Sequence, residues 1–193
     1  MEQPAQLPAR HRLFLGVLPP SHVGAHIAGV TQDLRSEHEL FGAPLEQERL
    51  HITVLQLGDY VGFPPRTMAF AHKLMDDFHF RPFTANFDLI SSLGGRTVPP
   101  RRCAIALRDS RGARDLQRLR RLILSRLPLA LLKRMQARAT FTPHITVLYD
   151  EQNIAAEPVS PIRWIVTNIA LVHSRINRGR LQPYSLLGRW RLI

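Results

Sequence analysis

The stretch LHITVLQ occupies residues 50–56, and PHITVLY occupies residues 143–149, so the chain contains the pentapeptide HITVL twice. Each copy alternates polar and branched apolar residues, a pattern that predicts a β-strand with one face in a core. Residues two apart in a strand point to the same side. Each copy therefore presents a histidine and a threonine on one face and packs aliphatic side chains behind them.

The two polar faces together carry four side chains suited to one kind of chemistry: His51, Thr53, His144 and Thr146. A single His-x-Thr is common by chance, but two identical copies in strand-like contexts, in a chain with 9 histidines, argue for a function. One histidine can accept a proton near neutral pH while the other donates one. Threonine hydroxyls can donate hydrogen bonds to phosphate oxygens. This set predicts acid–base chemistry on a phosphodiester that requires no metal.

The rest of the chain mixes helical and strand patterns without strict βαβ alternation, which favours the α+β class. We predict strands at residues 12–18, 51–57, 83–90, 103–107, 144–148, 164–172 and 184–192. We predict helices at residues 21–37, 66–77 and 113–127. Residues 151–161 contain two prolines and are predicted to form a loop.

The charge balance favours an anionic partner. The chain of 193 residues carries 26 Lys and Arg against 15 Asp and Glu, a formal net charge of +11. Such a surface suits nucleic acid, a nucleotide or an anionic membrane, and charge alone does not choose among them. No apolar run approaches the ~20 residues that a membrane-spanning helix needs, so we expect no membrane association.

Cysteine and histidine usage gives no indication of a bound metal. Cys103 is the single cysteine, so neither an intramolecular disulfide nor a cysteine-based zinc site can form, and a cytoplasmic location is the simplest expectation. His22 and His26 have the i, i+4 spacing of metal ligands but lack a third ligand. We therefore expect neither a metal nor another cofactor.

The two motifs and their flanks resemble the 2H phosphoesterase superfamily, and within it the bacterial RNA 2′,3′-cyclic phosphodiesterases, also called 2′–5′ RNA ligases. The resemblance rests on four segments: RLFLGVLPP, ERLHITVLQLGD, FTPHITVLYD and LVHSRINRGRLQPYSLLGRW. It implies a two-lobed α+β fold with antiparallel sheets around a central cleft, helices outside, and one motif from each lobe. On this basis we expect a flexible N-terminal tail at residues 1–10 and a single bilobal domain at residues 11–193.

The same resemblance implies hydrolysis of an RNA 2′,3′-cyclic phosphate to a 2′-phosphate end. His51 would be the acid for the leaving 3′ oxygen, His144 the base that activates water, and Thr53 and Thr146 the phosphate-binding groups. With an RNA 5′-hydroxyl in place of water, the site would form a 2′–5′ linkage without ATP. We expect an RNA or oligonucleotide partner, and a monomer because one chain supplies both histidines.

Three further residues are candidate substrate contacts: Tyr149, Phe14 and Arg175. Tyr149 stands where relatives often carry an arginine, which leaves open what contacts the substrate there. Two alternatives to an RNA phosphodiesterase remain at this point. One is a phosphodiesterase of small cyclic nucleotides, and the other is a non-catalytic RNA-binding module on the same fold.

Overall fold

The computed structural model describes residues 9–94, 102–134, 141–177 and 180–193. The predicted tail lies largely outside these ranges, since residues 1–8 are not among them. The first strand already begins at Arg10, the last residue assigned to that tail.

The described ranges contain strands, helices and one short 3₁₀ turn. The strands are β1 (Arg10–Val17), β2 (Ile52–Val61), β3 (Phe83–Leu93), β4 (Cys103–Arg108), β5 (His144–Asp150), β6 (Glu157–Val166), β7 (Asn168–Asn177), β8 (Arg180–Leu181) and β9 (Ser185–Arg191). The helices are α1 (Ser21–Glu37), α2 (Pro65–Met75), α3 (Arg114–Ser125) and α4 (Leu129–Arg134). The 3₁₀ turn Gln47–Arg49 precedes β2.

The strands form two antiparallel sheets, which confirms the predicted α+β class. The first sheet has the order β2-β1-β7-β8, with β9 also pairing to β7, and the second has the order β5-β4-β3-β6. Each HITVL copy thus lies at one edge of its own sheet, and the edge strands β2 and β5 contact each other. This contact brings the two repeats together.

The aliphatic faces of both repeats lie in one core that spans the two sheets. Ile52 and Val54 of β2 are both 0 % exposed, and Ile145 and Val147 of β5 are 0 % and 1 % exposed. Burying a side chain of this size stabilises the fold by about 1.5–3 kcal/mol. The packing behind each strand therefore fixes the orientation of its opposite, polar face.

Two helices hold the sheets together by packing contacts. Helix α1 follows β1 of the first sheet but packs on β5 and β6 of the second. Helix α3 follows β4 of the second sheet and contacts both β2 and β3. Within the described ranges, no helix is long and apolar enough to cross a membrane.

The prediction of one strand at residues 164–172 is wrong. The segment divides at Thr167 between β6 and β7, which belong to different sheets. Strand β6 also begins at Glu157, inside the predicted loop, and contains Pro158 and Pro161. Proline is tolerated there because β6 is an edge strand, where an N–H directed away from the sheet needs no strand partner.

The predicted end of the second strand at Gly58-Asp59 is also wrong, because β2 continues to Val61. The pairing with β1 shifts register between Gln56 and Gly58, and Gly58 adopts φ +147°. A bulge at this point lets β2 continue past Gly58-Asp59, a residue pair that usually ends a strand. Helix α4 and strand β8 were not predicted either.

Candidate active site

A cavity of about 480 Å³ lies beside the contact between the two edge strands. The polar faces of both repeats line it, and they bring together His51, Thr53, His144 and Thr146. Thr53 lies on β2 and Thr146 on β5, so each sheet supplies one histidine–threonine pair. The structure therefore brings the four predicted residues into one place.

Both histidines are held in the same way by the backbone two residues earlier. The Nδ1–H of His51 donates to the carbonyl oxygen of Arg49 at 2.7 Å, and that of His144 donates to Thr142 at 2.9 Å. A carbonyl oxygen can only accept, so each Nδ1 carries a proton. Nε2 is then the nitrogen of each ring that remains for a ligand, as proton acceptor when neutral and donor when charged.

The surroundings of His51 favour its neutral form. Burial lowers the pKa of His51, the hydrogen bond to the Arg49 carbonyl opposes this, and the charges of His144, Arg49 and Arg12 lower the pKa further. The Phe14 ring lies against the imidazole with centroids 4.8 Å apart.

Phe14, a predicted substrate contact, is part of both the cavity wall and the core. It lines the cavity but is only 2 % exposed, and it packs in a small cluster with Ala170 and Val172. Its ring approaches His51 on one side, while Tyr184 meets the same imidazole edge-on at 5.5 Å. The two aromatic rings thereby fix the orientation of His51.

The other two candidate contacts differ in position. Tyr149 lines the cavity and is 47 % exposed, which places it at the rim. Arg175 is absent from the lining, whereas its neighbours Ser174 and Ile176 are part of it. Because successive side chains of a strand point to opposite faces, Arg175 lies on the far side of β7 from the cavity.

Sequence reasoning missed the arginines of the cavity, which are Arg10, Arg12 and Arg49. The alternation of β1 could have indicated two of them, since residues 10, 12 and 14 share one face. Arg12 donates from Nε at 2.6 Å and Nη2 at 2.9 Å to the carboxylate of Asp59. This contact raises the pKa of Arg12 and lowers the pKa of Asp59.

Arg49 contributes to the site through both its backbone and its side chain. Its carbonyl holds His51, and its guanidinium lies over the ring of Tyr184, 5.1 Å from the centroid. Asp59 is the one carboxylate among the described residues that line the cavity, against three arginines. The cavity is therefore positively charged and suited to an anionic ligand.

No metal-binding cluster is found in the part of the chain that the structure describes, where no group of three or more His, Cys, Asp or Glu side chains lies close enough together. The chemistry that this arrangement supports is proton transfer by two imidazoles, with hydroxyl and guanidinium donors for an anion.

Comparison with known proteins agrees with the resemblance. The family model "2′-5′ RNA ligase superfamily" matches residues 19–177. Escherichia coli LigT complexed with 3′-AMP is 24 % identical, with a TM-score of 0.67 over 95 % of this chain and 98 % of that one. TT0787 of Thermus thermophilus is 20 % identical, with a TM-score of 0.72 over 94 % and 97 %. A structure described as a phosphoesterase is 22 % identical, with a TM-score of 0.67 over 94 % and 98 %.

No curated protein matches the chain at a significant level. The structural neighbours confirm the fold, and the family model covers most of the sequence. The chain therefore belongs to the 2′–5′ RNA ligase superfamily, whose members are 2H phosphoesterases.

Proposed function

We propose that this protein hydrolyses the 2′,3′-cyclic phosphate at the end of an RNA and leaves a 2′-phosphate. The observation that carries the proposal is that His51 and His144 keep the same Nδ1–H tautomer beside one positively charged cavity. Such a pair can supply an acid and a base in one step. Membership of a phosphoesterase superfamily supports the reaction class.

In this mechanism, Nε2 of His144 takes a proton from the water that attacks phosphorus. A new bond forms from phosphorus to the water oxygen while the bond to the ribose 3′ oxygen breaks. Nε2 of protonated His51 gives its proton to that 3′ oxygen, so the products are a 2′-phosphate and a 3′-hydroxyl. Thr53 and Thr146 donate hydrogen bonds to the nonbridging oxygens, where negative charge develops.

The low pKa of His51 is compatible with its role as the acid. A bound phosphate anion raises the pKa of a neighbouring imidazole, so the substrate itself promotes protonation of His51. Burial still opposes the charged ring in the complex, so the imidazolium readily transfers its proton to the leaving oxygen. The same site would run the reverse reaction with an RNA 5′-hydroxyl and form a 2′–5′ linkage without ATP.

A nucleic-acid end is the ligand class that we favour. The chain carries a formal net charge of +11, and the cavity itself has three arginines in its lining. Escherichia coli LigT binds 3′-AMP in its crystal structure. We propose that the protein acts as a monomer and without a metal ion or other cofactor.

The test is turnover of a 2′,3′-cyclic phosphate by wild-type protein and by the variants His51→Ala and His144→Ala. We expect each variant to lose roughly 10²–10⁴-fold in kcat, and wild-type activity to survive EDTA. Wild-type turnover in either variant would overturn the two-histidine mechanism. Binding of oligonucleotides without turnover would indicate a binding module, and turnover of mononucleotides alone would indicate a small-molecule enzyme.

A further inference from the structure

The cavity extends along β1 away from the histidines. Its floor includes Phe14, Arg12 and Arg10, which occupy alternate positions of that strand. Phe14 lies against His51, so Arg12 and Arg10 follow at roughly 7 Å and 14 Å along the strand from Phe14, at ~3.4 Å per residue. Ser174 and Ile176 of the neighbouring strand β7 complete the floor beside them. The cavity thus has a histidine end and an arginine end.

The arginine end has donors that the fold leaves available. Asp59 occupies Nε and Nη2 of Arg12, so both hydrogens of Nη1 remain for a ligand while the guanidinium is held in one plane. Arg10 lies one step further along the same face and is exposed. Arg10 contributes only a longer-range attraction to Asp59. Among the described residues, a guanidinium held by a carboxylate and one without a bound partner therefore stand next to each other.

We propose that Arg10 and Arg12 form a second phosphate subsite, which binds a phosphate on the 5′ oxygen of the nucleotide whose cyclic phosphate reacts. This inference rests on the proposed function. A cyclic phosphate at the histidine end leaves the 5′ oxygen on the opposite side of the ribose. The next phosphate is therefore one ribose away, towards the arginines. The preferred substrates carry this 5′ phosphate as a monoester, a pyrophosphate or the phosphodiester of an RNA chain.

Binding of two product analogues tests the subsite without any turnover. We expect adenosine 2′,5′-bisphosphate to bind wild-type protein about tenfold more tightly than adenosine 2′-phosphate, as measured by calorimetry. Arg10→Gln and Arg12→Gln should each remove most of this gain, and Arg10→Lys should keep part of it. Arg121→Gln removes an exposed charge of α3 outside the cavity and should leave the gain unchanged. Equal affinity for the two ligands, or binding of neither, would overturn the proposal.

Turnover measurements then identify which part of the substrate the arginine end recognises. Adenosine 2′,3′-cyclic phosphate, its 5′-phosphorylated form and an adenylate dinucleotide ending in a cyclic phosphate are compared by kcat/KM. We expect both phosphorylated substrates to be preferred by about tenfold in wild-type protein, and this preference to fall in Arg10→Gln. A gain for the dinucleotide alone would mean that the neighbouring nucleoside is recognised, and would overturn the subsite. Absence of all turnover would refute the proposed function, while the binding comparison would still decide the subsite.

Discussion

The two histidines share a tautomer but have different surroundings. His51 is enclosed by the rings of Phe14 and Tyr184 and lies near Arg49, and these surroundings favour its neutral form. The ring of His144 is held by the same kind of backbone contact at a half-buried position. The acid is needed only when the leaving group must take up a proton, whereas the base is needed whenever water attacks. The two roles can therefore be tested by comparing single variants on substrates with different leaving groups.

A substrate whose leaving group needs no proton should separate the two roles. We expect His51→Ala to lose about 10²-fold or more on a nucleoside 2′,3′-cyclic phosphate, but less than about tenfold on bis(4-nitrophenyl) phosphate, since nitrophenolate departs unprotonated. His144→Ala should be impaired on both substrates, because water still needs a base. The measurement is kcat/KM for each variant on each substrate. The opposite pattern would exchange the roles of the two histidines.

Stability at mildly acidic pH should depend on His51 and His173. Burial lowers the pKa of both, and His173 also contacts His11 at 2.9 Å. As pH falls through about 6.5, the unfolded chain binds protons that the folded chain resists, so the folded state loses stability. We expect urea unfolding at pH 5.5 to show a smaller free energy of unfolding than at pH 7.5. Carboxylates with a lowered pKa lose their contribution only nearer pH 4, and they are Asp59, Asp88 and Asp150.

The double variant His51→Gln, His173→Gln should show a smaller difference between the two pH values. The control is His22→Gln, which changes an exposed histidine of α1. An undiminished pH difference in the double variant would show that other groups carry the effect.

At the scale of elements, the end of β5 fixes the chain segment that borders the cavity. Asp150 is 3 % exposed, and its carboxylate accepts N–H bonds from Gly42 at 2.6 Å and Gln152 at 2.9 Å. Burial would raise the pKa of Asp150, but the backbone N–H groups around it hold the pKa below its ordinary value. Leu45, which lines the cavity, is tied to β5 by a 2.7 Å bond to Val147.

Loss of this carboxylate should destabilise the protein. We expect Asp150→Ala to lower the free energy of unfolding by about 3 kcal/mol, because buried N–H groups lose their acceptor. Gly42→Ala should also destabilise, since a Cβ there would lie 2.2 Å from the carbonyl oxygen of Tyr149. Urea unfolding at pH 7.5 measures both. Asp33→Ala, at an exposed position of α1, should stay within about 0.5 kcal/mol of wild type, and an equal loss there would contradict the explanation.

Elements differ in how far the sequence determines them. The alternation within HITVL predicts which residues are buried, and Ile52, Val54, Ile145 and Val147 lie where it places them. The division at Thr167 was missed because apolar residues lie close on both sides of it, with only Thr167 and Asn168 between them, while the two strands join different sheets. Strand β6 was obscured by prolines that only an edge position tolerates.

The candidate site also contains features that local sequence patterns could not predict. The repeat alone indicated the histidines and threonines, whereas the role of Arg12 depends on which face of β1 borders the cavity. That face is determined by pairing with β2 and β7, which lie distant in sequence. Arg175 was a candidate because its position in the sequence could place it at the rim of the cleft, but one position of alternation separates it from the cavity.

At the scale of the molecule, the shared core makes the two sheets interdependent. The chain has 2 tryptophans, one in each sheet, with Trp164 in β6 and Trp190 in β9. We expect the single-tryptophan variants Trp164→Phe and Trp190→Phe, followed by fluorescence in urea, each to unfold in one transition that coincides with its own circular dichroism curve. A fluorescence midpoint that differs from the circular dichroism midpoint would show that one sheet unfolds separately.

The single residue between β6 and β7 has a kinetic consequence. Thr167 alone joins β6 of one sheet to β7 of the other, so this connection is too short to form a flexible hinge loop. Elsewhere, helices α1 and α3 hold the two sheets together through their packing contacts. We expect the width of the gap between the edge strands β2 and β5 to be set when the shared core forms. A ligand should therefore meet an opening of constant size, so its association rate should depend on diffusion and on attraction by the arginines that line the cavity. The association rate should fall steadily with added salt, and the time course of binding should show no lag from a closing motion.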